Sequence, residues 1–308
     1  MTISAVGCSA VEESGACTAL LRSFSVISDM CYHSKVKVLI FGSRGYLGTY
    51  FKEVYPDAAT PSVDIANASE VSQALDEFKP DVVINAAGKT GRPNVDWCED
   101  HKLETVSSNV TGSLVLLNEC AKRNIYWVQL GSGCIYSGDN DGKGFSEDDP
   151  PNFAGSFYSR TKAWIDQILI EFPDQVLVLR LRMPFDGTNE PRNLITKIKK
   201  YERVLDVQNS ITYIPDFMEA AKKLIEKKAT GIFNMVNPGS ISPYEIMEMY
   251  KEIVDQTHEF ERMTLEELPD VTKAGRSNCV LNSSKLQGEG IAMKPVKDAV
   301  EEALHQIK

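Results

Sequence analysis

A short apolar run, Lys35-Val-Lys-Val-Leu-Ile-Phe41, ends abruptly in Gly42-Ser-Arg-Gly45-Tyr-Leu-Gly48, and a helix-patterned segment follows. No other stretch of the chain limits its possible folds so sharply. A buried strand passing through a glycine turn into a helix begins a βαβ unit, and the glycines let the backbone approach an anion at the helix N-terminus. The alternation then continues. Val71–Phe78 is helix-patterned, and Pro80–Asn85 is a second strand ending in Ala86-Ala87-Gly88. Leu103–Arg123 reads as a long helix, Ile125–Leu130 as a strand ending at Gly131-Ser132, Phe157–Glu171 as a helix and Gln175–Arg182 as a strand. Strands alternating with helices of this length predict an α/β fold: a doubly wound parallel sheet of the dinucleotide-binding (Rossmann) type.

After Met183-Pro184 the alternation weakens. Gly187–Arg192 reads as a loop, Asn193–Tyr201 as a helix and Ile232–Val236 as a short strand, with helix-forming material at Pro243–Val254, Leu265–Leu268 and Pro295–Ile307. The expected organisation is a dinucleotide-binding domain over 35–184 and a smaller C-terminal substrate domain over 185–308, with segments that interleave around a shared cleft. Residues 1–34 are rich in Ser, Ala and Cys and lack periodicity, so a disordered tail is expected there. That segment fits neither a secretory signal nor an Arg-rich transit peptide. A net charge of −10 argues against a nucleic-acid partner. No apolar run approaches the ~20 residues of a membrane span. The seven cysteines show no metal-type spacing, so no metal is expected, and unpatterned thiols suit a cytoplasmic setting.

The glycine loop nominates Gly42, Gly45 and Gly48 for a dinucleotide, with Ala86 and Ala87 beside it at the end of the second strand. Asp64 lies where an acid would bind the ribose 2′-hydroxyl of NAD. Yet Asp64–Glu70 also resembles a helix start, and Tyr55–Val63 is too short and proline-broken for a clear strand. Arg44, inside the loop, suits the 2′-phosphate of NADP. NADPH is the favoured cofactor, with NADH as the alternative. Tyr158 and Lys162 stand four apart on one helix face. A phenol has a pKa near ~10, and a neighbouring ammonium is expected to bring it closer to the working range. Lys162 can also hold the cofactor ribose, and Ser132 can donate to a substrate carbonyl.

With these residues in place, the chain resembles the extended short-chain dehydrogenase/reductase superfamily. Within it, the chain is similar over 36–290 to the plant-type nucleotide-rhamnose synthase epimerase/reductases, which are related to the dTDP-4-dehydrorhamnose reductases. The matching segments are Asn85-Ala-Ala-Gly88-x-Thr-Gly-Arg-Pro-Asn-Val-Asp-Trp-Cys-Glu99, Gly133-Cys-Ile135, Pro151-Asn-Phe-x-Gly-Ser-Phe-Tyr-Ser159, Arg182-Met-Pro184, Pro191-Arg-Asn-x-Ile-Thr-Lys197 and Arg276-Ser-Asn278. The resemblance implies conversion of a nucleotide-linked 4-keto-6-deoxyglucose to nucleotide-L-rhamnose, by 3,5-epimerisation and NAD(P)H-dependent 4-keto reduction. It places Cys134 and Lys197 as the two proton-transfer groups, their order left open, and Arg192, Asn193, Asn209, Arg276 and Asn278 around the substrate. The superfamily's dehydratases carry an Asp-Glu pair where Gly133-Cys134 stands here, so the keto sugar is expected from a separate upstream 4,6-dehydratase. A homodimer through helices near 105–122 and 157–171 is a further expectation. Two alternatives stay open: a monofunctional 4-reductase, and a reductase-like regulatory or binding subunit without turnover. The carrier, UDP or dTDP, is also open.

Overall fold

Five short runs of apolar residues pair side by side, all parallel, in the computed structural model of the chain, which describes residues 36–307. The tail expected over 1–34 lies outside the described residues. The strands are β1 (Val38–Phe41), β2 (Val82–Asn85), β3 (Tyr126–Ser132), β4 (Val176–Leu181) and β5 (Gly231–Asn234), adjacent in that order. Alternation along each strand divides the side chains between two cores, as the two-residue period requires. Val38, Ile40, Val82, Ile84, Leu177 and Leu179 enter one, with Phe51, Phe217 and Leu224. Leu39, Phe41, Val83, Trp127, Val176 and Val178 enter the other, with Val71, Leu75 and Leu116. Because both faces are covered, the strands read as continuous apolar runs rather than half-polar ones.

The helices that cover the sheet are α1 (Tyr46–Val54), α2 (Ala68–Phe78), α3 (Gly112–Lys122), α4 (Phe157–Leu169) and α6 (Ile214–Glu226), with α5 (Leu194–Ile198) outside it. The long helix expected at Leu103–Arg123 contains a π-turn, Ser107–Thr111, between Lys102–Val106 and α3. On the far side of β1, the proline-broken segment forms only a single bridge, Leu39 with Ala59, held by Ile40 N to Ala59 O at 2.8 Å. The chain therefore goes to one side of β1 at Ala59 and returns on the other at β2. This reversal puts the ligand-binding crevice of such sheets at the carboxyl ends of β1 and β2.

Three features depart from the sequence reading. α6 was not anticipated, because the sequence reading assigns no element between Tyr201 and Ile232. Here Pro215 occupies the first helical turn, where its missing N–H costs nothing. Leu265–Leu268 is not a helix but leads into a 3-10 turn, Leu268–Asp270, around Pro269. The helix expected over Asn193–Tyr201 is the shorter α5. After β4 the chain builds a third core from α5, α7 (Pro243–Ile253) and α8 (Val296–Gln306), around Phe185, Tyr213, Ile246 and Val300. Among the described residues no helix is long and apolar enough to cross a membrane.

Phe217 of α6 is fully buried and meets Phe51 of α1 edge-on, with centroids 6.0 Å apart. Phe217→Ala should lower stability by about 3–5 kcal/mol, read as a fall in the urea midpoint at unchanged slope.

Candidate active site

The glycine loop is a cradle with no room for side chains. Gly42 has φ +77°, and a Cβ on it would lie 2.4 Å from Ala87 N; one on Gly48 would lie 2.1 Å from Gly42 O. Ala86 and Ala87 therefore abut the turn, each backbone N–H used locally: Ala86 N donates to Phe41 O at 2.9 Å and Ala87 N to Asn85 Oδ1 at 3.1 Å. Gly45 caps α1 without a side chain, and the first turn of α1 carries no acid. The positive end of the helix is thus left for an exogenous anion. Arg44 donates to Ser62 Oγ at 3.0 Å, just beyond the Ala59 bridge. Asp64 does not join them. Its carboxylate accepts from Ala66 N at 3.0 Å in the turn before α2, which makes it the helix start of the two sequence readings.

A cleft of about 1000 Å³ opens beside this loop. Ser132, Cys134, Tyr158, Lys162, Arg192, Lys197 and Arg276 all line it, with Tyr46 and Leu47 of α1 at its border. Ser132 is the last residue of β3, and the 3-10 turn Gly133–Ile135 brings Cys134 back toward it. Ser132 Oγ donates to Cys134 Sγ at 3.0 Å. α4, capped by Ser156, presents Tyr158 and Lys162 on successive turns. Burial pushes the Cys134 thiol up, opposed by hydrogen bonds from Ser132 and Ser159 and by the charges of Arg182 and Lys162. Tyr158 corrects an expectation. Burial comes first and drives its phenol well up, the Cys134 thiol adds to this, and the Ser132 hydroxyl opposes it. Lys162 is itself desolvated, which lowers its pKa, and its Nζ donates to Leu130 O at 3.2 Å. The phenol is therefore held protonated, as a proton donor must be.

Across the cleft, Lys197 on α5 is pulled down by burial and then by the Arg192 charge, against the opposing pull of Glu190. Among the described residues Arg192 has no ion-pair partner. Arg276 lines the cleft, but its fork is committed to Asp96, at 2.8 and 2.9 Å. The three asparagines expected around the substrate do not line the cleft. Asn193 is fully buried; its Nδ2 donates to Asp186 O, Asp186 Oδ1 and Thr188 O, while its Oδ1 accepts from Ile195 N at 2.9 Å and caps α5. Asn209 accepts from Arg182 and from Cys279 N, and its Nδ2 donates to Asn278 Oδ1 at 3.1 Å. These side chains are consumed in holding the residues that face the cleft.

The model for the RmlD substrate binding domain matches residues 36–308. The chain belongs to that family. It is 38% identical over 278 residues to a bifunctional dTDP-4-dehydrorhamnose 3,5-epimerase/dTDP-4-dehydrorhamnose reductase of Arabidopsis thaliana, covering 87% of this chain and 92% of the relative. A trifunctional UDP-glucose 4,6-dehydratase/UDP-4-keto-6-deoxy-D-glucose 3,5-epimerase/UDP-4-keto-L-rhamnose-reductase of the same plant is also 38% identical, over 275 residues. There the match takes in 86% of this chain but only 41% of the relative. Among solved structures, the UDP-rhamnose synthase of Acanthamoeba polyphaga mimivirus superposes with a TM-score of 0.84 at 33% identity, over 88% of this chain and 99% of that one.

Within this RmlD-family cleft, sequence reasoning passed over several contributors. Asn109, in the π-turn, is buried and grips Lys89 by both backbone groups, at 2.7 and 2.9 Å, and donates to Thr161 Oγ1. The available signal was an amide at a buried helix position, which must be hydrogen-bonded to be tolerated. Ser62 and Glu190 carried no spacing signal, and Arg182 entered only through the Arg182-Met-Pro184 match, with no role assigned. Asn193→Ala removes a cap and leaves several buried groups unpaired. It should cost about 2–4 kcal/mol in urea denaturation; a loss below 1 kcal/mol would show that the capping network around α5 is dispensable.

Proposed function

We propose that this chain epimerises C3 and C5 of a nucleotide-linked 4-keto-6-deoxyglucose and reduces the C4 ketone, giving nucleotide-L-rhamnose. The observation that carries this reading is the gathering of Ser132, Cys134, Tyr158, Lys162 and Lys197 around one cleft. The printed activities of the Arabidopsis and mimivirus relatives support it. The cofactor is NADPH, with NADH as the weaker alternative. The Gly42–Gly48 cradle and the uncapped start of α1 fit its pyrophosphate, and the Arg44–Ser62 pair fits a 2′-phosphate. When bound, NADPH supplies the hydride. Lys162 holds the ribose.

The chain's own groups account for the protons. A proton leaves the ring carbon beside the ketone to a basic group, and the C–H electron pair moves to the carbonyl oxygen as an enolate. Ser132 and Tyr158 donate hydrogen bonds to that oxygen. A group on the opposite face returns a proton to the carbon and inverts it. Cys134 and Lys197 take these two roles. In the reduction Tyr158, held protonated by burial, gives its proton to the C4 oxygen. Arg192 holds the diphosphate. The keto sugar comes from a 4,6-dehydratase, since Cys134 occupies the place where a dehydratase needs its acids. Exposed Leu103, Leu114 and Trp164 support a homodimer across that side of the molecule.

Two measurements test the assignment. Cys134→Ala should lose at least ~100-fold in deuterium wash-in at C3 and C5 in heavy water, the scale of one general acid–base group. It should still reduce substrate that is already epimerised. Unimpaired wash-in would leave a 4-reductase alone. Separately, Lys197 acts as a base only when neutral, and its pKa is lowered. Wash-in that uses Lys197 as the base should therefore rise with pH through a midpoint below the ordinary lysine value of ~10.4, and wash-in that uses it as the acid should fall through the same midpoint. Arg192→Gln should move that midpoint up, and Glu190→Gln should move it down.

A further inference from the structure

Arg182 is one of the most buried charges in the chain, and among the described residues no carboxylate neutralises it. It is 3% exposed, follows directly on β4, and lines the cleft. Its partners are all neutral. Nη1 donates to Ser277 Oγ at 2.9 Å, and Nη2 donates to Ser277 O and Asn209 Oδ1, while its backbone N–H donates to Thr212 Oγ1 at 2.9 Å. Nε is buried with no partner at all. A buried guanidinium without a counter-charge is costly, and such a charge persists where something else compensates it. The contrast with Arg180, two residues earlier, is direct: that side chain has Asp166 as its ion-pair partner at 2.8 Å.

The register indicates what lies beside Arg182. Ser132 pairs with Leu181 as the last rung between β3 and β4, so the residues after each leave the sheet side by side. Gly133 follows Ser132, and a Cβ there would lie 3.5 Å from both Cβ and Cδ of Arg182. Cys134 comes next, half-buried in the same cleft. We infer that Arg182 is a positioning residue whose fixed charge stabilises the Cys134 thiolate. When the Sγ–H bond breaks and its proton goes to the ring carbon of an enolate, the thiolate left behind faces a cation already oriented by Ser277 and Asn209. In the opposite direction the same charge keeps the thiolate available to take a proton from carbon. The other titratable groups around Cys134 are Lys162, which also favours the thiolate, and Tyr158 and Cys279, which do not carry positive charge. Lys162 is committed to the ribose in the proposed reaction. Arg182 is the cation left to serve the thiol.

The inference rests on the reading of Cys134 as a proton-transfer group, but its test needs no turnover. Iodoacetamide alkylation of Cys134 is followed against pH in the full-length chain, with the modified peptide identified by mass spectrometry. Arg182→Gln should raise the midpoint by about one pH unit, so that alkylation well below it slows about tenfold. Arg182→Lys should recover most of the shift. Should Arg182→Gln fail to fold, Ser277→Asp keeps the arginine, pairs it with a carboxylate, and should raise the midpoint in the same direction. A midpoint unchanged in the folded variants overturns the inference. If the midpoint moves while Cys134→Ala keeps full deuterium wash-in, Arg182 does act on the thiol and it is the epimerase reading that fails.

Discussion

The buried ion pair between Asp166 and Arg180 sets where the reactive groups point. Arg180 reaches Asp166 through Nη2 at 2.8 Å and Nε at 3.3 Å, almost out of contact with water. Asp166 stands one turn beyond Lys162 and two beyond Tyr158, so all three share one stripe of α4. Clamping Asp166 to the carboxyl end of β4 therefore fixes the rotation and height of the helix that carries the other two. The same guanidinium donates to Asn234 Oδ1 of β5 at 3.1 Å, and Asn234 in turn holds Phe145 O and Asn282 O. One charge thus ties α4, the neighbouring strand and two loops to β4. Such pairs gain little net stability over apolar packing, because desolvation offsets most of the attraction. What this one supplies is a single geometry, and the sheet makes room for it: a Cβ at Gly131, across the ladder, would lie 3.3 Å from Arg180 Cα.

Parallel pairing then decides the edge on which chemistry is possible. All five strands end on the same side, so the residues that leave them converge: Gly42 after β1, Asn85 closing β2, Ser132 closing β3 and Arg182 after β4. At that edge the backbone is no longer fully paired, and polar side chains replace missing ladder bonds. Asn85 Nδ2 donates to Gln129 Oε1 at 2.8 Å while its Oδ1 takes Ala87 N, which holds Ala87 against Gly42. The glycine cradle and the cleft residues Ser132 and Arg182 are therefore consequences of one topology, and Leu194 and Lys197 of α5 line the same cleft.

Much of this was legible in the chain because it is local. The two-residue and helical periods announce the sheet and its covering helices, and Tyr158 with Lys162 is a four-residue relation that any helix would satisfy. The Tyr55–Val63 segment, read as too short and proline-broken for a clear strand, forms only the single Leu39–Ala59 bridge. Long-range partnerships were not legible. The fork of Arg276 is filled by Asp96, 180 residues away, and Arg182 is oriented by Ser277, 95 residues away. Nothing in the spacing of a sequence encodes such encounters. Asn193, Asn209 and Asn278 mark the same boundary from the other side. They belong to segments that build the cleft, yet their amides point into the protein, because a buried loop needs those amides for its own backbone.

Desolvation acts in opposite senses on the acidic and basic groups of the cleft. Burial disfavours whichever form is charged, so it raises the thiol of Cys134 and lowers the amine of Lys197. In water these groups lie near ~8.5 and ~10.4, with the thiol the stronger acid. Burial therefore moves the two groups in opposite directions, each toward its neutral form. The same burial keeps the Tyr158 phenol protonated. Too much burial would stop the thiol ionising at all. A fixed cation without a counter-charge opposes that rise, and Arg182 is such a cation.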